Sequence, residues 1–194
     1  MTFLHGRRRF STAGRWVGVA LGLTTLAVGE RVWRDFGPSA RSTAVEARGE
    51  RHGLAHVADG DSVAIAGTRL RLLGIDAPEL AQTCRRDERG YACGETAKGH
   101  LAELIAGRRL DCVWERRDKY GRGLARCRAG ALDLNAAMVR DGWAVAYGGY
   151  EGEEAEARRN RRGLWAGRFE WPEDFRRRER GAPPRFDEGD EEGR

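Results

Sequence analysis

Lysine is almost missing from this chain. Only Lys98 and Lys119 occur among 194 residues, so arginine supplies nearly all of the 35 Lys and Arg side chains. The formal net charge of +5 leans toward an anionic partner. An arginine excess follows genome base composition as readily as function, so charge alone does not establish such a partner. Cys84, Cys93, Cys112 and Cys127 include no Cys-x-x-Cys pair, which argues against a structural zinc site. His52, His56 and His100 show no metal-ligand spacing. There is no internal repeat. No alternation of strands and helices of the βαβ kind is present, which argues against a doubly wound sheet. Nor is there an apolar run of the roughly 20 residues that cross a bilayer comfortably.

The apolar block from Trp16 to Gly29 follows Arg7-Arg8-Arg9-Phe10. A positive start and an apolar core of roughly 7–15 residues form the pattern of an export signal. Ala27-Val28-Gly29 offers the small residues a signal peptidase needs, and the arginine run loosely resembles a twin-arginine signal. Residues 1–30 are therefore expected to be a signal peptide or an uncleaved signal-anchor helix, with residues 16–29 as its membrane segment. Either way the rest of the chain is expected outside the cytoplasm, periplasmic or secreted. The four cysteines agree, since disulfides persist in oxidising compartments. They allow three pairings. The local one, Cys84–Cys93 with Cys112–Cys127, is the simplest, because the second pair joins two strand-like runs across a turn.

Residues 31–52 are mostly small and polar and are expected to be a linker. The folded domain is expected over 53–172. Leu54–Val57, Ser62–Ile65, Arg69–Ile75, Leu110–Trp114 and Gly123–Arg128 have strand character. Helices are predicted over Glu95–Ala106, Asp133–Asp141 and Glu151–Arg162, each stopped by a glycine: Gly107, Gly142 and Gly163. This order predicts a small β-barrel with helices packed at its side. Residues 173–194 hold the charge runs Arg176-Arg177-Arg178 and Asp187–Glu192 and are expected to be a disordered tail.

Three clusters carry chemistry. Asp59-Gly60-Asp61-Ser62 precedes Arg71-Leu72-Leu73-Gly74-Ile75-Asp76-Ala77-Pro78-Glu79, and Asp118-Lys119-Tyr120-Gly121-Arg122-Gly123-Leu124-Ala125 follows. Carboxylates supply the hard oxygens that Ca²⁺ prefers. Arginine matches the charge on phosphate oxygens with paired N–H donors, which an ammonium cannot do. Each cluster alone is compatible with a turn or a solvated loop; in order, and together, they point to phosphodiester cleavage.

The same three clusters, in this order, resemble the signatures of the thermonuclease, or staphylococcal nuclease-like, family. The resemblance covers roughly residues 54–168 and extends to Leu134-Asn135, Gly142-Trp143-Ala144 and Gly163-Leu164-Trp165. It implies an OB-fold, a five-stranded barrel with about three helices. It also implies a calcium-dependent endonuclease acting on DNA and RNA and leaving 3′-phosphate ends. Carried over by motif, Asp61, Asp76 and the Ala77 carbonyl would hold Ca²⁺. Glu79 would sit near the metal, through water, as general base. Arg71 and Arg122 would hold the phosphate, with Lys119, Tyr120 and Tyr147 along the substrate groove. The loop carrying Cys84 and Cys93 is an addition to the family pattern. The alternative reading is a non-cleaving OB module that binds nucleic acid or a protein. A monomer with no protein partner is the working expectation.

Overall fold

The structure is a computed structural model and describes residues 48–181. The elements run in the order β1 (Gly49–Gly53), β2 (Ala55–Val57), β3 (Ser62–Ile65), β4 (Thr68–Leu72), β5 (Ile75–Asp76), β6 (Cys84–Arg86), β7 (Arg89–Tyr91) and α1 (Cys93–Ile105). They continue with β8 (Leu110–Arg117), β9 (Gly123–Ala129), β10 (Leu132–Asp133), α2 (Leu134–Arg140), β11 (Val145–Ala146), α3 (Glu151–Arg159), a 3-10 turn at Gly163–Ala166, and α4 (Pro172–Glu179). The proposed signal segment lies outside the described residues.

The main sheet has the order β1-β8-β9-β4-β3-β2, with β10 paired to β9. All its pairings are antiparallel except β4 with β9. That parallel pair needs a long crossover, which the chain supplies through α1 and β8. The sheet curls so that β1 approaches β3. The five strands expected from the sequence are all present as β2, β3, β4, β8 and β9. β1 and β10 extend them to seven, so the barrel is a curled, longer sheet rather than a five-stranded one. β1 draws residues 49–52 out of the expected linker by pairing Gly49 with Trp114 and Gly53 with Leu110.

Alternation decides the buried face. Leu110, Cys112 and Trp114 of β8 point inward while Asp111, Val113 and Glu115 point out. On β9 the inward set is small: Gly123, Ala125, Cys127 and Ala129. Those small residues leave room for the Trp114 indole. A Cβ on Gly123 would lie 2.8 Å from that ring, and one on Gly49 would lie 2.4 Å from it. Leu101 and Ile105 of α1 and Leu134, Met138 and Val139 of α2 close the core over Val63, Leu70, Leu72 and Ile75.

Asn135 ties α2 to the sheet. It is fully buried, accepts from the Cys127 N–H and donates to the carbonyls of Leu73 and Ala125. All three backbone groups belong to β9 or to the turn that leads into β5, so this side chain fixes where Asp76 begins.

Two departures from the sequence expectations matter for the site. The loop after Glu79 contains a hairpin, β6–β7, closed by a Cys84–Cys93 disulfide with Cα atoms 5.6 Å apart. Its turn places Asp87 and Glu88 at φ 48° and 62°, left-handed values that aspartate tolerates and glutamate seldom adopts. Residues 173–179, the first part of the segment expected to be a disordered tail, form α4 instead, with Pro172 at its first turn and Glu173 and Asp174 near its positive end, while residues 182–194 lie outside the described residues. Among the described residues α4 also brings the α-helices to four rather than about three. The second disulfide, Cys112–Cys127, joins directly opposed residues of β8 and β9.

Replacing both Cys112 and Cys127 with alanine should lower the unfolding free energy by about 3 kcal/mol, the usual effect of opening a loop of this size. Urea denaturation of the variant against the oxidised parent checks this.

Candidate active site

The turn between β2 and β3 delivers Asp61. Asp59 accepts the Asp61 N–H at 3.0 Å, which shapes the turn. Gly60 lets it sit flat against its neighbours, since a Cβ there would meet the Ala77 Cβ at 2.7 Å and the Ala97 Cβ at 2.9 Å. β4 runs beside this turn and presents Arg71, opposite Ser62 in the register. β5 follows at once and places Asp76, whose backbone pairs with Val145 of β11.

These side chains converge. Arg71 Nη1 donates to Asp61 Oδ1 at 2.8 Å, and Arg71 Nη2 lies 2.7 Å from Asp61 Oδ2 and 2.5 Å from Asp76 Oδ1. The Ala77 N–H donates to Asp61 Oδ2 at 3.2 Å. Both carboxylates are buried, with side chains 4% and 2% exposed. Ser62 Oγ donates to Asp61 Oδ1 at 2.9 Å and accepts from Arg122 Nη1 at 3.4 Å. That hydroxyl connects the second arginine to the acidic pair, so both guanidinium groups face one cleft.

Arg122 is held in place by Asp118. The turn Asp118–Arg122 folds so that Asp118 accepts the backbone N–H groups of Tyr120 and Arg122, and its other oxygen takes Arg122 Nε at 2.8 Å. Burial pushes Asp118 up, but these donors outweigh it and hold the carboxyl below its usual range. Asp118 is thus an orienting residue that motif reasoning left without a role, although its place four residues before Arg122 at a glycine turn was visible.

Glu79 follows Pro78 and remains partly exposed at the cleft, its N–H donating to Gln82 Oε1 at 3.2 Å. The first turn of α1 presses on this loop. A Cβ on Gly94 would lie 1.9 Å from the Glu79 carbonyl oxygen, so only glycine allows the approach. The cleft has a volume of about 590 Å³, and its walls include Arg71, Glu79, Lys119, Tyr120, Arg122 and Tyr147. Tyr120 and Tyr147 expose large parts of their rings. Lys119 and Arg122 both lie within 5.5 Å of the Tyr120 ring. The structure therefore brings together every side chain that the sequence singled out for catalysis, metal or substrate.

It also adds one. Arg176 of α4 reaches both oxygens of Asp76, at 2.9 and 2.7 Å, and Glu79 Oε1 at 2.9 Å. Its pKa is held above the usual arginine range: burial opposes this, but hydrogen bonds and attraction from Asp76 and Glu79 prevail.

Asp61 is pushed up to about 7. Burial is the main cause, Asp59 and Asp76 add to it, and Arg71 opposes it. Among the described residues no three His, Cys, Asp or Glu side chains are gathered into a ready cage for a metal. The donor chemistry nevertheless fits a hard cation: two buried aspartates converge on one positively charged point, with oxygens and no sulfur or imidazole beside them.

A sequence profile described as Staphylococcal nuclease homologue matches residues 69–167. The chain is 41% identical over 122 residues to the Succinoglycan biosynthesis protein ExoI of Rhizobium meliloti (strain 1021), covering 58% of this chain and 63% of that protein. It is 32% identical over 163 residues to a Micrococcal nuclease of Shigella flexneri, covering 73% of this chain and 80% of the other. An Uncharacterized endonuclease of Escherichia coli O157:H7 is 32% identical over 127 residues, with 59% and 77% covered.

Two outcomes follow from the geometry. In chelator, Asp61 binds its proton more tightly folded than unfolded, so its contribution to stability is full below pH about 4 and is lost as pH rises through about 7. Urea denaturation between pH 4 and 7 should show the parent losing stability relative to Asp61→Asn. Gly94→Ala should displace the Glu79 loop and reduce both thermal stability and any activity, read by calorimetry and nucleic-acid digestion on one preparation.

Proposed function

This chain belongs to the family of staphylococcal nuclease homologues, and from that premise we propose that it is a calcium-dependent endonuclease that hydrolyses phosphodiester bonds of DNA and RNA. The observation that carries the reading is the meeting of Arg71, Arg122, Asp61 and Glu79 in one cleft, with Asp76 buried beneath it and bonded to Arg71.

Arg71 and Arg122 bind the scissile phosphate. As the phosphorus gains a fifth oxygen, charge grows on its equatorial oxygens, and the two guanidinium groups stabilise that charge more than the ground state. Asp118 keeps Arg122 pointed at the cleft. Glu79 takes the proton of the attacking water as its oxygen bonds to phosphorus. The bond to the 5′ oxygen breaks, that oxygen takes a proton from solvent water, Glu79 returns its proton to solvent, and a 3′-phosphate end remains. Asp61, Asp76 and the Ala77 carbonyl would hold Ca²⁺, which, when bound, lowers the pKa of a water and polarises the phosphoryl oxygen. Lys119, Tyr120 and Tyr147 contact the flanking nucleotide; exposed tyrosines stack on any base, which suits a substrate range spanning DNA and RNA.

The setting is also proposed. The two disulfides are compatible with an extracellular or periplasmic location. Export through residues 1–30, as a cleaved signal or an anchor, is the reading their sequence supports. Among the described residues no helix is long and apolar enough to cross a membrane. The active protein is proposed to be a monomer.

One observation favours a second reading. The relative from Rhizobium meliloti is named for succinoglycan biosynthesis, and the chain spans 63% of its length. A non-cleaving module would keep the cleft for binding alone. Arg71, Glu79 and Arg122 together are what cleavage needs and binding does not.

Digestion of plain DNA and RNA should stop in chelator and return with calcium. Glu79→Gln should lower the rate about 10²–10⁴-fold, the usual contribution of one acid–base group. Arg71→Lys keeps the charge but loses the paired donors and should cost about 10²-fold. Binding of nucleic acid by the parent without cleavage, at ample calcium, would overturn the reading in favour of the module.

A further inference from the structure

Asp61 and Asp76 are buried side by side, and two buried carboxylates need two countercharges. Arg71 supplies one by touching both. The second comes from α4. Arg176 spreads its fork so that Nη1 donates to Asp76 Oδ1 and Glu79 Oε1, each at 2.9 Å, while Nη2 donates to Asp76 Oδ2 at 2.7 Å. One guanidinium therefore spans a residue assigned to the cation and the residue assigned as base. Both Asp76 oxygens are occupied by arginine donors.

We infer that Arg176 is an exchangeable countercharge: it holds Asp76 and Glu79 in the metal-free protein and yields them when a divalent cation binds. The inference rests on the calcium reading above. A cation drawing on Asp76 Oδ2 must take the oxygen that Arg176 Nη2 holds and Arg71 does not, and the guanidinium bound there would have to leave it. Release loosens the second half of α4 and leaves the first half docked. Its N-terminal end is anchored separately, by buried Pro172, by Gln82 Nε2 donating to the Glu170 carbonyl at 2.6 Å, and by the packed rings of Trp165, Phe169 and Trp171. Arg176 lies one turn beyond that anchor and lines the cleft that Arg71 and Arg122 also line. Once freed, it is placed to meet the substrate's phosphates as a third arginine.

The exchange is tested without substrate, by calorimetric titration with calcium and by hydrogen exchange of the full chain. Arg176→Gln should bind calcium about tenfold more tightly than the parent, because it removes charged hydrogen bonds that calcium must break. Arg178→Gln, which removes the same charge from the same helix but pairs with Glu170 and Glu179, should stay within about twofold of the parent. In the unmutated protein, calcium should speed amide exchange in the second half of α4. Equal affinities for the parent and Arg176→Gln, or α4 protection that calcium leaves unchanged or raises, overturns the exchange alone. Absence of calcium binding in all three proteins overturns the calcium reading with it.

Discussion

Two aspartates, Asp61 and Asp76, share one guanidinium at the floor of the cleft, and the surrounding structure is arranged to make that tolerable. Carboxylates this deeply buried repel each other and lose their hydration. They persist because Arg71 sits between them, the Ala77 N–H and the Ser62 hydroxyl donate to Asp61, and Arg176 covers Asp76. The elevated proton affinity of Asp61 is the residue of that unfavourable burial. A site poised in this way gains from any added positive charge, which gives it a reason to bind a hard cation.

The fold serves that floor. β3 and β4 carry Asp61 and Arg71 to within hydrogen-bonding distance, β5 adds Asp76 directly after a tight turn, and Asn135 pins that turn from α2. β9 enters parallel to β4 with Gly123 opposite Leu70, which sets the Asp118–Arg122 turn beside the start of β4, and the Arg122 side chain reaches along the strand to Ser62. The hairpin with its Cys84–Cys93 bridge braces the loop after Glu79, and Gly94 lets α1 press against it.

Much of this was legible in the sequence because each cluster is contiguous. Asp59 to Ser62 is a turn flanked by strands, Arg71 to Glu79 is a strand ending at a proline, and Asp118 to Ala125 is a glycine turn. Short-range patterns of this kind announce both their geometry and their chemistry. Arg176 announced neither. Its partners lie about a hundred residues earlier, and it stands in a run of three arginines without apolar periodicity, which looks like a solvated tail. α4 forms because it docks on buried acids and a cluster of rings, a tertiary cause that local pattern does not carry. The β6–β7 hairpin was hidden for a different reason: its strands are only three residues long, and beside Asp87, which tolerates the left-handed region, Glu88 takes the same conformation with nothing to mark it.

The central claim is that one cleft holds a divalent cation on Asp61 and Asp76 and a phosphate on Arg71 and Arg122. The most direct test is a crystal structure of the protein with calcium and a short phosphorothioate oligonucleotide that resists cleavage. The account predicts an ion bonded to Asp61, Asp76 and the Ala77 carbonyl, with a bridging phosphate held by both arginines and a water between it and Glu79. An oligonucleotide bound on another face, with the acidic pair still closed by arginine and free of calcium, would contradict it.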